Sequence, residues 1–284
     1  MHIEIMTFYR TCDAYLQDKG FHDDPQAQMT TVEIVTTMLV AAWFFANNLR
    51  LARQAMTEMG IVVRMLSESQ FCRRRQRIAP EDWQAILTRL AEECPADTFV
   101  IDSCPLAVCH PRRAARSRLY RDEGGAYWGY CAAKDEYFYG LKAHTLVTLS
   151  GRPVEVLLLC GCSHDLVGMK EMTLSLPEGA RIYGDKAYTD YEYEDKLQTK
   201  KKLTLLPLRK SNAKRQHPPE VAAVLSHDRK RIETTFSQIV AKLPRRIHAV
   251  KATGWESKVL AAFVAFAILC AEAEKTVDKI RVTS

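Results

Sequence analysis

The chain has 284 residues, 47% hydrophobic and 26% charged, with 40 Lys/Arg against 34 Asp/Glu for a formal charge of +6. That length suits one or two domains. The composition is that of an ordinary globular protein, which excludes a disordered or collagen-like chain. Nine cysteines, an odd number without a regular spacing, argue against a disulfide framework and for a reduced, cytoplasmic protein.

Charge is uneven along the chain. Residues 1–97 hold 10 Lys/Arg against 13 Asp/Glu, leaving 30 against 21 for residues 98–284, and residues 196–215 carry eight Lys/Arg and no acid. Such a field favours a phosphate backbone on one part of the molecule, beside the plainer reading of a solvated basic face. The apolar runs 38–46 and 259–271 fall short of the roughly 20 residues that span a bilayer, so they read as buried helices.

The first 97 residues read as helical. Residues 30–46 form a strongly apolar helix joined to a second through 47–59. Residues 67–78 carry Phe71 and then Arg73, Arg74, Arg75 and Arg77, and Pro80 with Glu81 and Asp82 opens a helix to about Glu93. The last two fit either a helix-turn-helix with its Arg-rich member against DNA, or a plain bundle with an exposed arginine face.

From Thr98 the pattern turns to strands. Residues 98–102 are a short apolar strand ending in Asp102. Residues 137–149 and 152–160 flank Ser150-Gly151 as a hairpin. Ser163-His164-Asp165 reads as the cap of a helix to about Leu176, and residues 181–185 form a strand ending in Asp185. A charged helix from about Asp190, a strand at 203–208 with an edge proline, and helices over 219–243 and 255–275 complete the chain. In the 219–243 helix Ile232, Phe236, Ile239 and Val240 form an apolar stripe, with Glu233 about 100° round from Ile232 at its edge. This order is that of a ribonuclease-H-like domain, in which the ends of the first and fourth strands lie side by side. The expected fold is α/β, a five-stranded mixed sheet flanked by helices, after an all-helical region. The expected division is 1–97 for DNA binding and 98–284 for catalysis, the latter including the C-terminal helices.

Four segments, Asp-Ser-Cys-Pro-Leu-Ala-Val-Cys-His (102–110), Tyr-Phe-Tyr-Gly-Leu-Lys-Ala-His (137–144), Tyr-Gly-Asp-Lys-Ala-Tyr (183–188) and Arg-Lys-Arg-Ile-Glu-Thr-Thr (229–235), resemble in order and spacing the DDE transposases of bacterial insertion sequences. The resemblance covers nearly the whole chain, and the subgroup with Asp-Ser-Cys-Pro-like first motifs is the closer match. It implies that Asp102, Asp185 and Glu233 are catalytic acids holding two Mg²⁺, with Mn²⁺ able to substitute. Many relatives surround the final glutamate as Tyr-x2-Arg-x3-Glu-x6-Lys. Here Arg229 matches, while Ser226 and Val240 stand in place of the tyrosine and lysine.

The implied activity is transposition: binding terminal inverted repeats, hydrolysing phosphodiester bonds at the element's ends, and joining the 3′-hydroxyl to target DNA. The implied partners are double-stranded DNA and a second copy of the chain, with no membrane. A nuclease on the same scaffold and a decayed relative that only binds DNA are the alternatives. Basic residues expected against DNA are Arg73, Arg74, Arg75, Arg112, Arg113, Arg116, Lys142, Lys186, Lys201, Arg209, Lys210, Arg229 and Lys230. Tyr120, Tyr127, Trp128 and Tyr130 are candidates to stack on unpaired or flipped bases, or equally are core or surface aromatics. The cysteines and histidines at 104, 109, 110, 160, 162 and 164 lack zinc-site spacing.

Overall fold

The computed structural model describes residues 1–121, 125–132 and 134–283. The chain forms two compact units, Met1–Cys94 with Ile239–Ser284, and Pro95–Gln238.

The first unit is helical: α1 (His2–Asp18), α2 (Thr31–Phe44), α3 (Leu49–Glu58), α4 (Glu68–Arg75), α5 (Pro80–Glu93) and, from the far end of the chain, α9 (Ala252–Thr283). Ten of the 14 residues of α2 are buried, as befits a helix apolar on every side. Thr30 starts it with a capping box: the Glu33 amide donates to the Thr30 hydroxyl and the Glu33 carboxylate accepts from the Thr30 amide. It stops where Ala46 and Asn47 turn left-handed (φ 45° and 63°), and Asn48 then caps α3. Helix α9 packs against α1, α2 and α5, and Trp83 donates to Ser257 at 3.2 Å. The run 259–271 is the middle of a longer helix, and Ala252–Ile280 is by itself long and apolar enough to cross a membrane. Yet 83% of its apolar window is buried inside the fold, as in a core helix. The sequence reading kept the C-terminal helices with the sheet, whereas α9 groups with the N-terminal helices.

The second unit is a mixed α/β domain. Its elements are β1 (Thr98–Cys109), β2 (Trp128–Cys131), β3 (Glu136–Thr148), β4 (Pro153–Cys160), α6 (Asp165–Glu171), β5 (Arg181–Gly184), α7 (Tyr191–Lys201), β6 (Thr204–Pro207) and α8 (Pro219–Lys242), with short 3-10 turns at Pro111–Arg116 and Lys186–Tyr188. The sheet order is β2-β3-β1-β5-β6, with β4 also on β3. Strands β1, β3, β4 and β2 pair antiparallel, while β5 and β6 run parallel to β1. This is the expected ribonuclease-H-like arrangement with one strand more. The sixth is the four-residue β2, which pairs with β3 beyond the reach of β4 on the same edge.

Several boundaries differ for local reasons. Helix α6 ends at Glu171 rather than near Leu176, because the buried Glu155 carboxylate on β4 accepts the amides of Thr173 and Leu174 at 2.6 and 2.9 Å. On α8 the buried stripe is Leu225, Ile232, Phe236 and Ile239, while Val240 is exposed. The β3–β4 turn needs Gly151 at φ 95° and holds α8 in place: Thr235 donates to the Gly151 carbonyl and Arg231 to that of Leu149.

His144 on β3 is fully buried, with Gly168 of α6 so close that a Cβ there would lie 2.2 Å from Nδ1. Burial pushes its pKa from 6.5 down to about 4. A histidine buried neutral supports folding fully above its unfolded pKa, and that support is lost as pH falls from 6.5 towards the folded value. Urea unfolding at pH 7 and 4.5 is expected to show the wild type losing about 2–3 kcal/mol more than His144→Leu over that interval. Equal losses would mean that the imidazole is not held neutral.

Candidate active site

The parallel register of β1 and β5 builds the site. Thr98, Phe99 and Val100 pair with Arg181, Ile182 and Tyr183. Asp102 and Asp185 each stand two residues past the last pair, hence level with one another. Asp102 does not end its strand as the sequence suggested, since β1 continues to Cys109 along β3, with Asp102 opposite Thr145. It stands where β1 loses its neighbour on the β5 side. Asp185 leaves β5 into the turn Lys186–Tyr188, and its Oδ1 accepts the Ala187 amide at 2.7 Å.

Asp102 is half-buried and held at both oxygens, Oδ1 by the Ser103 amide at 2.8 Å and Oδ2 by Arg229 of α8 at 3.4 Å. Its pKa is nevertheless raised to about 6. Burial is the main cause, and the charges of Asp185 and Asp165 add to it against the Ser103 hydrogen bond and Arg229. Asp165 was read as a helix cap beside His164, but the His164 side chain makes no capping bond. The Asp165 carboxylate instead accepts from Ser103 Oγ at 2.6 Å and from Lys142 Nζ at 3.4 Å. Tyr188 is fully buried, its hydroxyl has no partner among the described residues, and its pKa is raised first by burial and then by Asp102, Asp165 and Asp185. Sequence reasoning missed Ser103 and Tyr188 as parts of this cluster, although both lie inside the motifs around Asp102 and Asp185.

Glu233 stands apart from the two aspartates' network. It is exposed on α8, one helical turn beyond Arg229, and among the described residues it makes no hydrogen bond or ion pair. Nor, among the described residues, do three His, Cys, Asp or Glu side chains form a group that could hold a metal ion. The donor chemistry still fits a divalent cation. Asp102 and Asp185 supply hard oxygens in one register, and a positive charge there would favour the ionised Asp102 that burial, first, and then Asp185 and Asp165 oppose.

The basic residues separate by partner. Arg74 is a clamp, bonded to Asp23, Thr31 and the Met29 carbonyl, and Arg75 lies beside Gly254. Arg209 makes a bidentate pair with Glu194 at 2.7 and 2.6 Å, with both side chains under 10% exposed. Lys142 is committed to Asp165 and the Ser163 carbonyl, Arg229 to Asp102, and Lys201 to the Thr173 carbonyl. Arg73, Arg112, Arg113, Arg116, Lys186, Lys210 and Lys230 are exposed. Of the aromatic candidates, Tyr120 and Tyr127 stack on each other at 4.2 Å, while Trp128 and Tyr130 are exposed.

The transposase DDE domain family matches residues 93–271. A search of curated proteins found no match. Among solved structures, the cryo-EM structure of a piggyBac transposase synaptic complex with hairpin DNA covers 97% of this chain and 73% of its own, with a TM-score of 0.53 and 11% identity. At that identity the likeness is one of fold.

Because the folded pKa of Asp102 is raised, its charge opposes folding increasingly as pH climbs from 3.8 through about 6. Asp102→Asn is therefore expected to raise metal-free stability by about 1–3 kcal/mol at pH 7.5, a gain that vanishes below pH 4. Urea titrations in a chelator check this, and a destabilised variant would contradict it. Arg209→Ala, which strands Glu194 in a buried setting, should cost about 3–5 kcal/mol, read by the same titration.

Proposed function

The chain belongs to the DDE-domain transposases, and from that premise we propose that it is an insertion-sequence transposase. It binds terminal inverted repeats, hydrolyses a phosphodiester at each end, and joins the freed 3′-hydroxyl to target DNA. The observation that carries this reading is the level register of Asp102 and Asp185 at the open edge between β1 and β5, with the charge on Asp102 opposed.

In this reading Asp102, Asp185 and Glu233 hold two Mg²⁺, for which Mn²⁺ can substitute. Such cations, when bound, polarise the scissile phosphate and make an attacking water or 3′-hydroxyl more acidic. The remaining work falls to the protein's own groups. The Ser103 amide and Arg229 fix the Asp102 carboxylate. Among the described residues Arg229 Nε is buried and has no partner, while its Nη2 donates to Asp102. Exposed Arg112, Arg113, Arg116, Lys186, Lys210 and Lys230 carry the polyanion contact of the α/β unit, and Arg73 that of the helical unit. Two copies of the chain, one for each end, would form the synaptic complex. Glu233, without a partner among the described residues, favours one second reading, a relative that binds DNA without cutting it.

Cleavage of end-containing DNA and strand transfer from pre-cleaved ends, each with Mg²⁺ and with Mn²⁺, separate these possibilities. Asp102→Ala, Asp185→Ala and Glu233→Ala are each expected to lower both reactions by more than about 100-fold while mobility shifts of end DNA change little. Normal cleavage by any variant removes that residue from the mechanism. Wild-type cleavage without joining identifies a nuclease, and no product at all identifies a non-cutting relative.

A further inference from the structure

We propose that Asp165 is a positioning residue of the Asp102–Asp185 site, acting through Ser103 to set Asp102 and adding its own charge to the field that attracts a divalent cation. The inference rests on the metal reading given above. Asp165 is 62 residues from Ser103 in sequence, and the Ser103 hydroxyl donates to it at 2.6 Å, the short length of a charge-assisted bond. Ser103 in turn gives its amide to Asp102 Oδ1 at 2.8 Å. One residue thus joins the two carboxylates, with its backbone toward one and its side chain toward the other.

The anchor behind Asp165 is Lys142 on β3, which bridges the Asp165 carboxylate and the Ser163 carbonyl. Helix α6 also packs against both β1 and β3. Asp165 is therefore fixed from two strands, and its position is not that of a freely solvated helix-start acid. A separate observation marks the spot as built for a ligand. Among the described residues the fully buried Tyr188 hydroxyl has no partner, and it lies in the combined field of Asp102, Asp165 and Asp185. A buried hydroxyl without a hydrogen bond is costly unless something else meets it. Outer partners of this kind orient the groups that touch a metal and tune its affinity.

Mn²⁺ titration of the full-length chain without DNA, followed by calorimetry and by the electron paramagnetic resonance signal of free Mn²⁺, tests this independently of cleavage. Asp165→Asn keeps an acceptor for Ser103 but loses the charge, and Ser103→Ala keeps the charge but cuts the link. Each is expected to weaken Mn²⁺ binding about 10–100-fold with circular dichroism unchanged. If one variant fails to fold, the other carries the test. Wild-type affinity in a folded Asp165→Asn or Ser103→Ala overturns this inference alone. A wild-type chain that binds no Mn²⁺, while Asp102→Ala gives the same blank titration, overturns the metal reading and this one with it.

Discussion

The three-residue parallel ladder between β1 and β5 is the constraint on which the rest depends. It joins segments 83 residues apart, and what makes it form is apolar. Phe99, Val100, Ile101 and Ile182 are at most 2% exposed and Tyr183 is 5% exposed, each burial contributing about 1.5–3 kcal/mol. Strands buried on both faces read as continuous hydrophobic runs, as Phe99–Ile101 of β1 does, while β5 begins at the exposed Arg181 and buries Ile182 and Tyr183. The acids arrive together because each stands two residues past the last pair of that ladder. A slip of one residue would send one carboxylate to the opposite face of the sheet, so hydrophobic packing fixes the geometry of a polar site.

That arrangement sets packing against electrostatics. Burial and two neighbouring aspartates oppose the Asp102 charge, and Arg229, at 3.4 Å and on the far helix, offsets them only in part. The α/β unit tolerates this because α8 is held independently of the acids. Its stripe of Leu225, Ile232 and Phe236 is buried, and Thr235 and Arg231 are bonded to the β3–β4 turn. The helix therefore keeps its place whether Asp102 is charged or not. Glu233 shares that helix while staying solvated, so two of the three expected acids are fixed by the sheet and the third by helix register alone.

What was legible in the sequence follows the same division. Apolar runs ending in acids disclosed β5 and the start of β1, the Ser150-Gly151 turn disclosed the β3–β4 hairpin, and helical periodicity disclosed α8. The length of β1 was hidden because Pro105 suggests a strand's end. Beyond Val100, however, β1 has a neighbour only on the β3 side, where Pro105 lies opposite Lys142. A proline is tolerated where one side of a strand is unpaired. Strand β2 is four residues long, too short for alternation to announce. Asp165 was hidden differently, because an acid at a helix start has an adequate local explanation, and its tertiary use by Ser103 and Lys142 leaves no trace in nearby residues.

The basic residues teach the complementary lesson. A run of Lys and Arg gives the sign of a field, yet only tertiary partners decide which charges are free to meet a phosphate. Arg209 lies in the most basic stretch of the chain, but its guanidinium is spent on Glu194, and Arg74 within the Arg73–Arg75 cluster is spent on Asp23. For either to reach DNA, a buried or half-buried pair would have to break and leave a carboxylate uncompensated, at a cost that one surface phosphate contact does not return. Arg73 and Lys210, next to them in sequence, are exposed and carry no such cost. These basic segments are therefore mosaics in which some charges hold the protein together and others face outward, and counting charges along the sequence overstates the free basic surface wherever an acid lies within reach in space.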